Sequence, residues 1–310
     1  MLKRIFTLVS LCCACEYGFA AELSLRDALR ATYSACVGID DELADLKKMA
    51  GINTAVTAVG TAAGAGATAV GLVKAGKDKQ VEIELTKLRE IETSGNFEES
   101  TIEDYEAFIA GLDDPEIQKK AREQVEEINK LNRQSKNLGN WRTGLIAGAT
   151  VTNVAGAIIA GTGQNTDDLQ EMINNCTTAT ANLRDAIGRA QISGEDVSEA
   201  REILGACDEY NYVDVSKIAN RGKGAMVSSI VGGATGAAGT VTSAIANTDK
   251  TRNDNTDEGK QREKNLNTAA NVLSGATTVA SATATVFNAT QISAIKKAAS
   301  VAEKCTGVLK

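Results

Sequence analysis

VGTAAGAGATAVG at residues 59–71 and VGGATGAAGTVTS at residues 231–243 decide how this chain folds. Both are long enough for several helical turns, carry no charge, and are built from Ala, Gly, Thr, Ser and Val. A glycine inside a helix costs about 1 kcal/mol relative to alanine. That cost is tolerated where the backbone of a neighbouring helix must come close. Gly60/Gly64 and Gly232/Gly236 are spaced four apart, as are Gly144/Gly148 in a third stretch. Such a spacing puts bare backbone on one helix face. These six glycines are the expected close-packing positions.

The rest of the composition agrees with long helices. The 310 residues are 43% hydrophobic but only 4% aromatic, with one Pro and no His. Sheets need aromatic and β-branched pairs together with many turn residues. The formal net charge of −7 argues against nucleic acid as a partner, because phosphate binding needs an excess of Lys and Arg on one face.

The two glycine-rich stretches align with each other. Val59, Gly60, Ala62, Gly64, Ala65 and Thr68 match Val231, Gly232, Ala234, Gly236, Ala237 and Thr240. Other features recur in the same order. Leu25-Arg26-Asp27-Ala28 resembles Leu183-Arg184-Asp185-Ala186, and Lys136-Asn137-Leu138 resembles Lys264-Asn265-Leu266. Cys36 and Cys207 each precede a small-residue segment, and Cys176 and Cys305 each follow the next one. We read two helical repeats, 21–181 and 182–310. The first carries an extended helical arm at about 80–140 and the second a short polar tip at 247–265. The expected fold is all-α, an elongated antiparallel bundle of long helices built from two duplicated hairpins with Ala/Gly/Thr/Ser-rich packing faces.

Residues 1–20 have the layout of a bacterial-type signal peptide. Lys3 and Arg4 precede an apolar run, and Gly18 and Ala20 suit a cleavage site. Export to the periplasm or the extracellular space is expected. The alternative is an envelope-anchored lipoprotein acylated at Cys15. Removing the leader leaves Cys36, Cys176, Cys207 and Cys305, an even number that suggests two disulfides in an exported chain. The symmetric pairing is Cys36–Cys176 and Cys207–Cys305, one of three connectivities. Long spacings and the lack of His argue against zinc, so no metal or cofactor is expected.

Apolar stripes before and after the first glycine-rich stretch, with no proline between them, predict one helix over about 40–91. At 1.5 Å per residue it would be about 75 Å long. ETSGNFEES at 92–100 reads as a loop. A short helix follows at about 102–112. Asp114 can then cap a further helix that places Pro115 in its first turn, with Ile117, Ala121, Val125, Ile128 and Leu131 on one face.

Four uncharged segments, 49–73, 143–166, 224–248 and 265–295, raise the question of membrane spans. Insertion usually draws on Leu, Ile, Phe and Val. These segments rely on Ala, Gly, Thr and Ser, and they contain Asn53, Asn153, Asn271 and Asn288. Trp141 stands alone where an aromatic belt would be expected. Composition therefore favours four long helices packed through small residues in water, with membrane association as the alternative. Over two short windows the glycine runs resemble the glycine-zipper segments of small bacterial envelope proteins, a likeness of composition only.

Motifs for chemistry are weak. Gly71-Leu-Val-Lys-Ala-Gly76-Lys77-Asp78 approaches a phosphate-binding loop, but Asp78 stands where the hydroxyl should be and no strand precedes it. Without His there is no Ser-His or Cys-His pair. The expected function is non-enzymatic: a structural or protein-interaction protein of the envelope or extracellular space, working through the arm or by self-association. The alternative is a membrane-active helical protein, either a glycine-zipper pore-former or a toxin-like effector.

Overall fold

The computed structural model describes residues 23–91, 109–110, 114–164, 166–252 and 256–309. The leader with Cys15, the loop at 92–100 and most of the helix expected at 102–112 lie outside the described residues. Of the described residues 93% are helical and none is in a strand, so the chain is all-α.

The helices are α1 (Leu25–Cys36), α2 (Ile39–Ile91), α3 (Pro115–Gly163), α4 (Asp167–Ile192), α5 (Ser198–Cys207), α6 (Val215–Ala246), α7 (Asp249–Arg252) and α8 (Asp257–Leu309). Their starts follow local chemistry. Ser24 accepts a hydrogen bond from the Asp27 backbone N–H at 3.2 Å. Asp114 accepts from the Glu116 and Ile117 N–H groups at 2.8 and 3.4 Å, with Pro115 in the first turn. Asp214 accepts from the Lys217 N–H at 2.9 Å. Each cap satisfies donors that the first helical turn leaves open. Gly38 (φ 91°) and Gly194 (φ 80°) take left-handed conformations just after α1 and α4, which glycine adopts without a Cβ penalty.

The chain divides into two compact units. The first comprises the described residues up to Ile39, Glu171–Tyr212 and those from Val301 on. Here Ala28, Thr32 and Cys36 of α1, Cys176, Leu183 and Ile187 of α4, and Ala200, Ile203 and Cys207 of α5 are buried. Thr32 donates to the carbonyl of Ala179, 3.3 Å away on α4. Ion pairs Arg184–Asp208 (2.7 Å) and Lys304–Glu209 (2.9 Å) lie on its surface, where such pairs add little stability. Cys36 is bonded to Cys176 and Cys207 to Cys305, with Cα atoms 4.8 and 4.6 Å apart. This is the pairing that the cysteine order suggests.

The second unit comprises Asp40–Gln170 and Val213–Ser300. In it α2, α3, α6 and α8 alternate in direction. Position 60 of α2 meets 152 of α3, 153 of α3 meets 232 of α6, and 239 of α6 meets 273 of α8. Asn53 of α2 in turn bonds Asn288 of α8. Buried positions step by three and four: Ala50, Asn53, Thr57, Gly60, Gly64, Ala67, Gly71 and Lys74 on α2, and Ala270, Ser274, Thr277, Ser281, Ala284, Asn288 and Gln291 on α8. A strict three-four alternation has period 3.5, the repeat that supercoils helices left-handedly. The arm extends from the same helices. Leu88, Ile109, Ala121, Val125 and Ile128 form its core, with Val81 and Leu85 packed against them.

Candidate functional site

Outside the arm, the four long helices of the second unit reverse the usual distribution of polarity. Their seam positions carry Asn, Ser, Thr and Gln among Gly and Ala, and most of their outward positions carry Val, Ile, Leu and Ala. Soluble coiled coils place apolar residues in the seam and charges outside, so this reversal marks the unit as the candidate site.

The seam forms a polar column. Near one end Gln164 and Gln291 flank Gly222, with neither side-chain amide paired to another group among the described residues. Next Asn53 donates to Asn288 at 3.1 Å, while Asn53 Oδ1, Asn288 Nδ2 and the Ser229 hydroxyl have no hydrogen-bond partner among the described residues. Thr285 donates to Thr57 at 3.0 Å. Then Asn153 and Ser281 exchange hydrogen bonds at 2.8 and 3.0 Å. Thr235 meets Thr277 at 3.0 Å and Thr68 meets Ser274 at 3.1 Å. Neutral buried amides and hydroxyls left without protein partners are the groups that internal water or a small polar solute satisfies.

Charge gathers at the other end. Arg142 is fully buried and is held by neutral oxygens: Ser243 at 2.9 Å, Asn271 at 3.2 Å and Asn267 at 2.9 Å. Lys74 pairs with Asp78 at 2.6 Å and with Glu263 at 3.7 Å, and Ser135 donates to Asp78. Burial pulls the Lys74 ammonium down from its ordinary value, opposed by Asp78 and Glu263. Burial likewise lowers Arg142, and it raises the Glu263 carboxyl against the pull of Lys74. A raised acid favours the fold while it is protonated. Its contribution is complete below the ordinary carboxylate value and is lost as pH rises through the raised value. Glu263→Gln is expected to flatten the fall in thermal midpoint across that interval, and an unchanged pH profile contradicts the assignment.

The outer face is charge-free and mostly apolar along the column, with Thr162 exposed on α3 and Thr268, Thr283 and Ser293 exposed on α8. On α2 the exposed residues from 52 to 73 are Ile52, Ala55, Ala58, Val59, Ala62, Ala65, Ala69, Leu72 and Val73. On α6 those from 227 to 245 are Val227, Ile230, Val231, Ala234, Ala237, Ala238, Val241, Ala244 and Ile245. Val151, Val154 and Ile158 stand out on α3, and Val272, Val279 and Val286 on α8. Within Leu25–Leu88 and Pro115–Ile192, 18-residue windows reach mean hydropathies of 1.5 and 1.6 with only 28% of each window buried. By length and composition these two can cross a membrane; among the described residues α6 and α8 do not reach the same hydropathy.

Four of the six glycines lie in the seam. A Cβ on Gly60 would stand 2.5 Å from Thr152 Oγ1, and one on Gly64 would stand 3.2 Å from the Thr278 Cα. One on Gly236 would stand 3.3 Å from the Thr150 Cα, and one on Gly232 would stand 2.7 Å from Asn153 Cγ. Gly144 and Gly148 do not belong to this set: both are exposed, with no atom within 4 Å of an added Cβ. The α3 seam instead runs through Arg142, Ile146, Ala149, Asn153, Gly156 and Ala160. The four-residue glycine spacing is common to every face of a helix, so it does not by itself say which face packs. Gly64→Ala and Gly236→Ala are expected to cost about 1–3 kcal/mol by overpacking. Gly148→Ala is expected to gain up to about 1 kcal/mol from helix propensity. Urea unfolding of the three variants checks the opposite signs.

The near-match to a phosphate loop at Gly71–Asp78 is continuous helix, with Lys74 turned into the seam. Asn53, Asn153 and Asn288, which count against insertion in the linear sequence, are all fully buried. The signal that could have placed them was their three-four spacing with the glycines and serines. No protein-family profile, curated protein or solved structure matches this chain.

Proposed function

We propose that this chain is an exported, non-enzymatic envelope protein in which the charge-free parts of the four long helices of the second unit sit in a lipid bilayer as a bundle around a polar column, with the arm outside it. The observation that carries the reading is the pairing of an apolar, charge-free outer face with a polar seam on the same helices. The uncharged stretches 49–73, 143–166, 224–248 and 265–295 are helical over 49–73, 143–163, 224–246 and 265–295, each about 30 Å or more in length, against a hydrocarbon core of about 30 Å. Within those helical parts the backbone groups bond along the helix, as a bilayer requires. Small residues at the seam permit the close approach that holds helices together in lipid. Buried Asn, Ser and Gln do not meet the lipid, so they do not oppose insertion as the linear sequence suggests.

The reading favours the membrane-active alternative over a bundle packed in water. The disulfides are compatible with an oxidising compartment, and a leader at 1–20 would deliver the chain there. Duplication explains why each half supplies two bundle helices and one cysteine pair. Mature protein incubated with liposomes should float with them and resist alkaline carbonate extraction. Tagged protein should fractionate with membranes rather than with periplasm or medium. Recovery of all the protein free of lipid would sink the reading and return the apolar face to contacts between copies of the chain.

A further inference from the structure

The four cysteines form more than two separate crosslinks. The sulfurs of Cys36, Cys207 and Cys305 all lie within 4.8 Å of one another, and the fourth, Cys176, is bonded to Cys36. All four residues are fully buried. They come from four different helices, α1, α4, α5 and α8, whose buried faces pack together in the first unit. Thr32 donates to the carbonyls of Ala28 and Ala179, tying α1 to α4 near the nest. Lys304, beside Cys305, is held by Glu209, next but one to Cys207.

We propose that this nest is a thiolate metal site in its reduced form, taking one thiophilic d10 cation of the zinc class, and that the two disulfides are its oxidised state. A tetrahedral site with metal–sulfur bonds of about 2.3 Å places its sulfurs roughly 3.8 Å apart. Cys36 Sγ lies within 4.8 Å of both sulfurs of the Cys207–Cys305 bond, so these three sulfurs are already near that spacing once the bond is reduced. Cys36, Cys207 and Cys305 supply three ligands, and Cys176 closes the fourth position once released from Cys36. Sequence spacing hides such a site, because its ligands are scattered along the chain rather than grouped in short pairs. The inference is independent of membrane insertion, since all four ligands belong to the first unit.

The chemistry balances with a dithiol as reductant. Two dithiols each form an internal disulfide and together convert the two protein disulfides into four thiols. The metal dication then displaces four protons and binds four thiolates. Metal affinity accordingly rises with pH across the thiol range. Reoxidation by a disulfide oxidant expels the ion and restores the two crosslinks. The site is therefore metal-free where the protein is kept oxidised and loaded where thiols persist.

The test uses the full mature chain, reduced anaerobically with a phosphine and titrated with Co²⁺. Thiolate-to-cobalt charge-transfer absorption should saturate at one ion per chain and be displaced by Zn²⁺. It should be absent from the oxidised protein and from a variant with all four cysteines changed to Ser. Cys207→Ser should weaken binding at least tenfold. If reduction unfolds the first unit, Zn²⁺ added during refolding should restore its helicity, read by circular dichroism. Reduced protein that neither shows the cobalt bands nor regains helicity with Zn²⁺ overturns the proposal. So does cobalt absorption that survives in the four-Ser variant.

Discussion

The double variant Val151→Lys/Ile158→Lys is expected to lose membrane insertion while keeping its fold in water. Both side chains point outward from α3, at 68% and 59% exposure, and they lie one heptad apart on the same stripe. An exposed surface position in water usually changes stability by no more than about 0.5 kcal/mol on substitution. At the centre of a bilayer each Lys costs about 2.5–3.5 kcal/mol. Together the two should weaken partitioning into vesicles by at least ~1,000-fold. Ala75→Lys, on the exposed side of α2 beyond the charge-free stretch, should leave partitioning unchanged. Flotation with each variant reads the difference, and a double Lys variant that floats as well as the native chain rules out a lipid-facing role for α3.

The second large effect is expected from the disulfides. Cys36–Cys176 closes a separation of 140 residues and Cys207–Cys305 one of 98. Constraint of the unfolded chain by loops of that length is worth about 4–5 kcal/mol for each bond. Whole domains are stable by only about 5–15 kcal/mol. Cys207→Ala/Cys305→Ala should therefore shift the guanidinium midpoint strongly, and removal of both pairs should leave little cooperative unfolding near the chain's normal midpoint. A loss below about 1 kcal/mol for each pair would mean that packing alone orders the first unit.

Much of the architecture was legible because it rests on local rules. The single proline, the uninterrupted apolar stripes and the Asp114-Pro115 start signal lead directly to long helices. The cysteine order indicated the pairing, since each Cys keeps its place relative to the small-residue segments. Gly60, Gly64, Gly232 and Gly236 stand out in the sequence because close helix approach favours glycine. Gly144 and Gly148 obey the same spacing but face outward, as spacing alone does not choose a face. The polar column was missed for a related reason. A hydrophobic scan looks for apolar residues recurring every three and four positions, and here that spacing is kept by Asn53, Thr57, Asn153, Ser229, Ser281 and Asn288. Charged groups at the far end were equally hidden. Arg142 is buried among Ser243, Asn267 and Asn271, all more than 100 positions away in sequence.

The reversal of polarity also changes how the asparagines are weighed. In a linear reading each one lowers the insertion score of its segment. In the folded bundle the helices present Val, Ile, Leu and Ala outward and keep their amides for one another. The unpaired atoms of Asn53, Asn288, Gln164 and Gln291 then mark where internal water or a polar solute would sit.

Trp141 offers the most direct measurement of membrane insertion. It is the single tryptophan of the chain, it is 69% exposed, and it stands just before the uncharged stretch that begins at Thr143. With vesicles of brominated phospholipids, the bilayer reading predicts a blue-shifted emission, quenched more by bromines near the carbonyl level than by bromines deep in the acyl chains. Emission that stays at its aqueous wavelength and is quenched by neither lipid would contradict it.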